Sequence, residues 1–459
     1  MPIFMSLSEM IALRPEGRQF SGTDRREPLR SALEQAGEFT PLQTAGRFYP
    51  IACVALEITQ RCNLDCTLCY LSEHAEAAVD VPLVVLTSRI AMVESHYGPG
   101  TSIQISGGDP TLRKIEDLEY LCAEIRRRGM RSCLMTNGIR ATRPFLSRLA
   151  RSGLDDVAFH VDLTQQRRGF ETEVQLNAVR CDYLARARGL GLRVLFNTTV
   201  YGGNRAELPA LAAFFRDHAD EVTLASFQMQ AETGRGVLGR RGSELTQQSV
   251  MDALSDGIGT PIDFESAGVG HRACNRFAPL LVAGGEALPA LGDPVLSARA
   301  IAALERVEQQ IDGHVEIRAT AFRLAKRYPL LALRLFGHLI GRLWSLRRGM
   351  IRSRGRLHRL SILVHNFMDA RELDPDRCAS CVFMAMTEDG PLSMCVHNAR
   401  RDHHLFTPAR IETDAGEKWW SAATGEITDT PFRSVPAPLP AKRRKGRGRL
   451  GPTGVSKKP

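Results

Sequence analysis

The chain has 459 residues, 43% hydrophobic and 24% charged, with 60 Lys and Arg against 51 Asp and Glu. That length and apolar fraction can bury one large core and an accessory module, and no stretch has the uncharged apolar length a transmembrane helix needs. Residues 436–459 hold eight cations and no acid, and without them 52 cations face 51 acids, which excludes a nucleic-acid-binding body as the source of the +9 charge. Residues 1–50 read as an N-terminal extension packed on the rest of the chain. Glu9, Arg14 and Glu16 lie there without the apolar run and small-residue cleavage site of a secretory signal. Eleven cysteines in such a chain point to a reducing, cytoplasmic compartment and to metal sites in place of disulfides. There is no internal repeat.

Cys53–Thr59 reads as a short buried strand. It leads into Arg61-Cys62-Asn63-Leu64-Asp65-Cys66-Thr67-Leu68-Cys69-Tyr70, where three cysteines have C-x3-C-x2-C spacing. Three thiolates from one loop suit a [4Fe–4S] cubane, whose fourth iron then stays open to a small molecule. A zinc ion needs a fourth ligand at matching spacing, and the nearest is His74 in an Ala-rich stretch. Buried apolar thiols are the third possibility. About forty residues on, Ser102–Gly107 reads as a second strand running into Gly107-Gly108-Asp109-Pro110, a turn whose glycines permit close backbone approach to a ligand.

Further strands are expected at Arg131–Thr136, 156–163, Arg193–Val200 and Val222–Met229. Helices are expected at Leu83–Tyr97, 115–128, Arg143–Ser152, 174–188 and 207–218. This alternation predicts an α/β fold with a parallel sheet, a partial (β/α)6 barrel over residues 51–235. Sites in such folds lie at the carboxyl ends of the strands. That places Asn137, His160, Asp162, Asn197, Gln228 and Gln230 either beside a ligand or on strand-end backbone groups. His160 and Asp162 alternate with Phe159 and Val161 and so share one face.

The region 236–430 carries a second cysteine group. Cys378 and Cys381 form a C-x2-C pair, Cys395 follows, and Cys274 stands alone upstream. These four could close a [4Fe–4S] site without an open iron, or a zinc ribbon, and spacing does not separate the two. His271 is either a ligand or a neighbour. Cys53, Cys122, Cys133 and Cys181 lie in apolar or helical patterns and read as core. From Ile317 to Met368 there are twelve Lys or Arg and no acid. A basic amphipathic helix is expected at about 321–350, in which Arg327, Arg334, His338 and Arg342 recur at seven, four and four residues. Its broad apolar face, with Trp344 near one end, resembles an interfacial helix lying among lipid headgroups, and predicts peripheral contact with the inner membrane surface. The other reading is an ordinary helix packed on the barrel with its arginines in solvent. Bulky aliphatics between the cations, in place of stacking aromatics, argue against a nucleic-acid partner. The tail 436–459 cannot bury enough apolar surface to fold and is expected to be disordered. Both basic elements would gain roughly 1 kcal/mol per cation at anionic lipid.

The cysteine loop after a first strand, followed by Gly-Gly-Asp-Pro after a second, resembles the radical S-adenosylmethionine (radical SAM) superfamily. The resemblance implies that Cys62, Cys66 and Cys69 hold a [4Fe–4S] cluster whose open iron is chelated by SAM. Gly107, Gly108, Asp109 and Pro110 would position the amino group, with Asp109 replacing the usual Glu, and Tyr70 would flank the adenine. Asn137, His160, Asp162 and Asn197 would then serve SAM or substrate. Reduction by a donor such as flavodoxin or ferredoxin splits SAM into methionine and a 5′-deoxyadenosyl radical, which takes hydrogen from an unactivated carbon. The C-terminal run Phe367-Met368-Asp369, the Cys378/Cys381 pair and Cys395-Val396-His397-Asn398 are similar to tetraether lipid synthase and class D methylase-like members. That similarity implies an auxiliary [4Fe–4S] cluster on Cys274, Cys378, Cys381 and Cys395. Members of that group often carry further N-terminal cysteines, and residues 1–52 have none. Together with the interfacial helix, this predicts a lipid or isoprenoid substrate undergoing C–C coupling or methylation. The alternative is a peptide or small-metabolite maturase, and the rival class is a non-catalytic zinc or electron-transfer protein.

Overall fold

The computed structural model describes residues 5–13, 24–235, 241–307, 317–413 and 416–437, so all but the first two residues of the basic tail lie outside them. Helices α1 (Leu7–Ala12) and α2 (Glu27–Gln35) precede the first strand. Strands and helices then alternate as β1 (Cys53–Thr59), α3 (Leu83–Tyr97), β2 (Ser102–Gly107), α4 (Ile115–Arg127), β3 (Arg131–Thr136) and α5 (Arg143–Ser152). The series continues with β4 (Asp156–His160), α6 (Asn177–Ala187), β5 (Arg193–Val200), α7 (Leu208–Asp217), β6 (Val222–Met229) and α8 (Gln247–Ile258). Local chemistry sets these limits. The Thr142 hydroxyl accepts the Phe145 N–H to start α5, and Gly153 in the left-handed region at φ 107° stops it. β4 ends at His160, short of the expected 163, because the Asp162 carboxylate accepts the Thr164 N–H and turns the chain into a 3-10 segment.

The remaining chain forms β7 (Asn275–Ala283), β8 (Glu286–Pro289), α9 (Pro294–Val307), α10 (Ile317–Arg327), α11 (Pro329–Ser345) and α12 (Arg347–Arg352). After these come β9 (His358–Asn366), α13 (Pro375–Ala379), β10 (Phe383–Thr387), β11 (Gly390–Ser393), α14 (Met394–Ala399) and α15 (Arg401–Leu405). A small sheet of β12 (Ala409–Thr413), β13 (Gly416–Trp420) and β14 (Ile427–Thr428) completes the described chain. The single helix expected near 321–350 is therefore three. A proline disfavours helical dihedrals in the residue before it, and Tyr328 takes φ −134°, ψ 64° ahead of Pro329. Among the described residues no helix is long and apolar enough to cross a membrane.

One sheet of eleven strands runs β11-β10-β1-β2-β3-β4-β5-β6-β9-β7-β8. The six expected strands sit together in sequence order, as predicted for the α/β barrel. Two late strands extend the parallel run: β10 joins β1 with Cys53 opposite Phe383, and β9 joins β6 with Met229 opposite Asn366. The Phe383 and His365 rings then meet at 4.7 Å, so the two outer parallel strands approach each other across the enclosed space.

Alternation along each strand separates core from cavity. Leu56 and Ile58, Ile103 and Ile105, and Val194 and Phe196 face the helices and join one continuous core. Their neighbours Glu57, Gln104, Ser106, Asn197 and Thr199 face inward to a cavity. The N-terminal extension packs over the later cysteines: Met5 joins Leu373, Cys378 and Cys395, while Leu29 and Leu33 pack with Val382.

Candidate active site

The inward side chains enclose a cavity of about 1820 Å³, its open mouth included. Cys62, Cys66 and Cys69 line one part of it and Cys395 another. Most of the wall is apolar, Met135, Met229, Met368, Met394 and Phe367 among it, and the amides of Gln104, Asn137, Asn197, Gln228, Gln230 and Asn398 are set into it. Glu57 is the one carboxylate among the described lining residues.

The cysteine loop leaves β1 and is pinned at its base. Thr59 and Arg61 both bind Asp80. The Gly108 N–H donates to Thr59 O at 2.9 Å and the Asp109 N–H to Arg61 O at 2.8 Å. A Cβ on Gly107 (φ 124°) or Gly108 would run into those same carbonyl oxygens, so only glycines let the turn lie against the loop. The Tyr70 hydroxyl donates to Gly107 O at 2.7 Å, folding the ring back onto the turn.

Asp109 and Pro110, expected at the amino group of SAM, lie buried behind the residues that line the cavity. The Asp109 carboxylate is fully buried and accepts from Thr111 N and Oγ1, Thr136 Oγ1 and Asn137 N. It fixes the turn and the end of β3. Asn137, so placed, donates to Asn63 Oδ1 at 2.5 Å and lies 3.9 Å from Cys62 Sγ. Asp162 is likewise behind the wall, bound by His160 Nε2 at 2.6 Å and by the Thr164 and Thr199 N–H groups. Burial acts to raise its carboxyl, but His160 and these donors hold it well below its ordinary value. Tyr70, Gly107, Gly108, Asn137, His160 and Asn197 remain in the wall, with Gln228 and Gln230.

Several residues at this site went unnoticed in the sequence. Arg235 is buried; its N–H donates to Cys69 O and Leu71 O, and its guanidinium lies 3.7 Å from Asp65 and 3.6 Å from Glu76. Burial, then Cys69 and Cys62, push the Cys66 thiol up, with Arg235 acting the other way. Crowded thiols backed by a guanidinium form a donor set that iron can satisfy. His74, the fourth ligand a zinc ion would need, instead places Nδ1 2.7 Å from Pro436 O and stands edge-on to Phe406. Among the described residues no three His, Cys, Asp or Glu side chains converge on a single ion. A cubane takes each thiolate on a different iron, and Cys62 and Cys69 lie near enough to Cys66 to push its thiol up.

The second cysteine group is assembled from four elements. Cys274 precedes β7, Cys378 lies in α13, Cys381 precedes β10 and Cys395 lies in α14. Burial, with Cys381 and Cys274 nearby, raises the Cys395 thiol, and burial lifts Cys274 to about 11 and Cys378 to about 12. Arg377 Nε donates to Cys274 Sγ at 3.2 Å while its Nη2 donates to Asn366 O at 2.7 Å. His271 Nδ1 accepts the Ala273 N–H, and its Nε2 lies 3.9 Å from Glu38 Oε1. Cys53, Cys122 and Cys133 are buried as expected, but Cys181 is exposed because it sits on the outer side of α6.

A run of parallel strands thus brings the three cysteines after β1 and the glycine pair after β2 onto one cavity. Residues 56–215, about a third of the chain, match the family model described as Radical SAM superfamily. PqqA peptide cyclase of Xanthomonas oryzae pv. oryzae is 27% identical over 221 residues, 46% of this chain and 56% of that protein. Fe-coproporphyrin III synthase of Methanosarcina barkeri is 27% identical over 190 residues, 40% of this chain and 45% of that protein. The chain thus spans about half the length of these relatives. Among solved structures, Streptococcus suis SuiB bound to precursor peptide SuiA aligns with a TM-score of 0.36 at 14% identity, covering 50% of each chain.

Proposed function

We propose that this chain is a radical SAM enzyme that takes hydrogen from a peptide. One [4Fe–4S] cluster sits on Cys62, Cys66 and Cys69 in the core segment 51–235. A second sits on Cys274, Cys378, Cys381 and Cys395 in the region 236–430. The observation that carries this reading is the single cavity that reaches from the first cysteine group to Cys395, with side-chain amides set into a mainly apolar wall. When bound and reduced, the first cluster supplies the electron that divides SAM into methionine and a 5′-deoxyadenosyl radical.

The chain's own residues bind and orient. Gly107, Gly108 and Tyr70 shape the SAM end. The amides of Gln104, Asn197 and Gln228 are complementary to peptide N–H and C=O groups, and the Met and Phe side chains exclude water. Burial, with Arg377 adding to it, lowers His365 to about 3, so it meets substrate as a neutral imidazole. The expectation of a lipid or isoprenoid substrate gives way here. A hydrocarbon chain would suit the apolar part of the wall but would strip water from Gln104, Asn197 and Gln228 without replacing their hydrogen bonds, whereas a peptide can satisfy both. The relatives named as peptide cyclases support the same choice.

The test is 5′-deoxyadenosine release by anaerobically reconstituted protein reduced by flavodoxin or ferredoxin. Release stimulated by the peptide fraction of a host extract, and lost when that fraction is first digested with protease, is the expected result. Stimulation by the lipid extract alone would overturn the reading. Cys66→Ala is expected to abolish release in a folded protein, and Cys381→Ala to lower iron from about eight to about four per chain.

A further inference from the structure

The helix α11 is packed with its polar side inward. His338 Nε2 and Arg342 Nη2 both donate to Leu291 O, at 2.8 and 2.9 Å, and Leu331 and Leu335 on the same side are half-buried. Helical geometry sends Leu333, Phe336, Ile340 and Trp344 to the opposite side. These are 67%, 61%, 48% and 69% exposed, and no residue of the helix is buried. A surface helix ordinarily does the reverse, and a contiguous apolar face of this kind marks an interaction site.

Its surroundings are predominantly cationic, although Arg352 is paired with Glu286. Arg323, Lys326, Arg334, Arg347, Arg348 and Arg352 are exposed on α10 to α12, and the sequence from Ile317 to Met368 holds no acid. Beside Leu330 an open depression of about 1110 Å³, solvent above it included, is lined by Arg299, Arg306, Arg327 and Arg334, with no carboxylate among its described lining residues.

We propose that the outward face of α11 docks on an anionic lipid bilayer, with Leu333, Phe336, Ile340 and Trp344 entering the interface and the flanking arginines meeting headgroup phosphates. The charge pattern selects this occupant. A second copy would bring an equally cationic face against this one, and the chain's own tail, with eight cations and no acid, is repelled in the same way. An amphipathic face with aromatic and aliphatic residues beside Arg is the pattern of interfacial binding, strengthened by anionic lipid.

The test is co-sedimentation of the full chain with vesicles of phosphatidylcholine alone or with phosphatidylglycerol added. Binding is expected to be at least tenfold tighter to the anionic vesicles and to weaken as salt is raised. Phe336→Asp combined with Ile340→Asp is expected to reduce it at least tenfold with thermal unfolding unchanged, since both side chains are exposed. Arg347→Glu with Arg348→Glu, which leaves the apolar face intact, is expected to remove the preference for anionic lipid. Equal binding by wild type and the apolar-face variant overturns the proposal. So does a wild-type dimer on size exclusion that the same variant converts to monomer.

Discussion

Glu57 is a carboxylate within an otherwise apolar strand, and its partner Arg401 lies 344 residues later. Arg401 Nη1 donates to both Glu57 oxygens at 2.8 Å, and Nη2 donates to Asn398 Oδ1 at 2.9 Å. The guanidinium also stands 4.5 Å from the Tyr70 ring. The C-terminal region thereby holds the residue expected beside the adenine. Burial pushes the Glu57 carboxyl up, but Arg401, with His397 and Gln60, more than offsets it and leaves it at about 2. A carboxyl lowered from 4.5 contributes stability that is complete above its unfolded value and lost as pH falls from about 4.5 to about 2. Glu57→Gln is expected to destabilise the neutral-pH protein by about 3–5 kcal/mol, since it leaves Arg401 buried without a counter-charge. It should also flatten that acid limb. Urea midpoints across the pH range check both. The lone carboxylate was a visible signal in the sequence, but nothing around Arg401 pointed to its partner.

At the scale of elements, the short α13 matters more than its five residues suggest. It carries Cys378 and Arg377, and its first turn is fixed by the Asp374 carboxylate accepting the Asp376 and Arg377 N–H groups. Asp374→Ala is expected to cost about 1 kcal/mol in folding stability, as a lost helix cap does. Because Arg377 then loses its hold on Cys274 Sγ, iron content should fall from about eight towards about four per chain. Urea titration and iron analysis of the purified variant check this. Most helices and strands of the first half fall within a residue of the expected limits, while β4 ends three residues early and α6 starts three residues late. α11 differs: its amphipathic pattern was readable, but which side faced inward was not. That depended on Leu291 O, an acceptor on a distant loop.

At the scale of the molecule, one eleven-stranded sheet dominates the described residues, with the hydrogen-bonding edges of β1 and β6 covered by β10 and β9. Strand edges left open invite association. A fragment ending at residue 235 is therefore expected to aggregate in place of folding as a monomer, although it holds all six strands of the barrel motif. Size exclusion and circular dichroism of the fragment check this, and a monomeric, cooperatively unfolding fragment would contradict it.

The cysteine loop, the glycine pair and the alternation of strand and helix are local patterns, so the chain by itself determined the barrel order and the chemistry around Cys62, Cys66 and Cys69. Contacts between residues hundreds of positions apart leave no such trace. Only the tertiary structure decided that β9 and β10 flank the barrel, that Asp109 and Asp162 stand behind the cavity wall, and that Cys395 opens on the same cavity as the first cysteine group. The reason is physical. Register and side-chain direction depend on which partner strand arrives, and a residue's neighbours along the chain do not specify the partner.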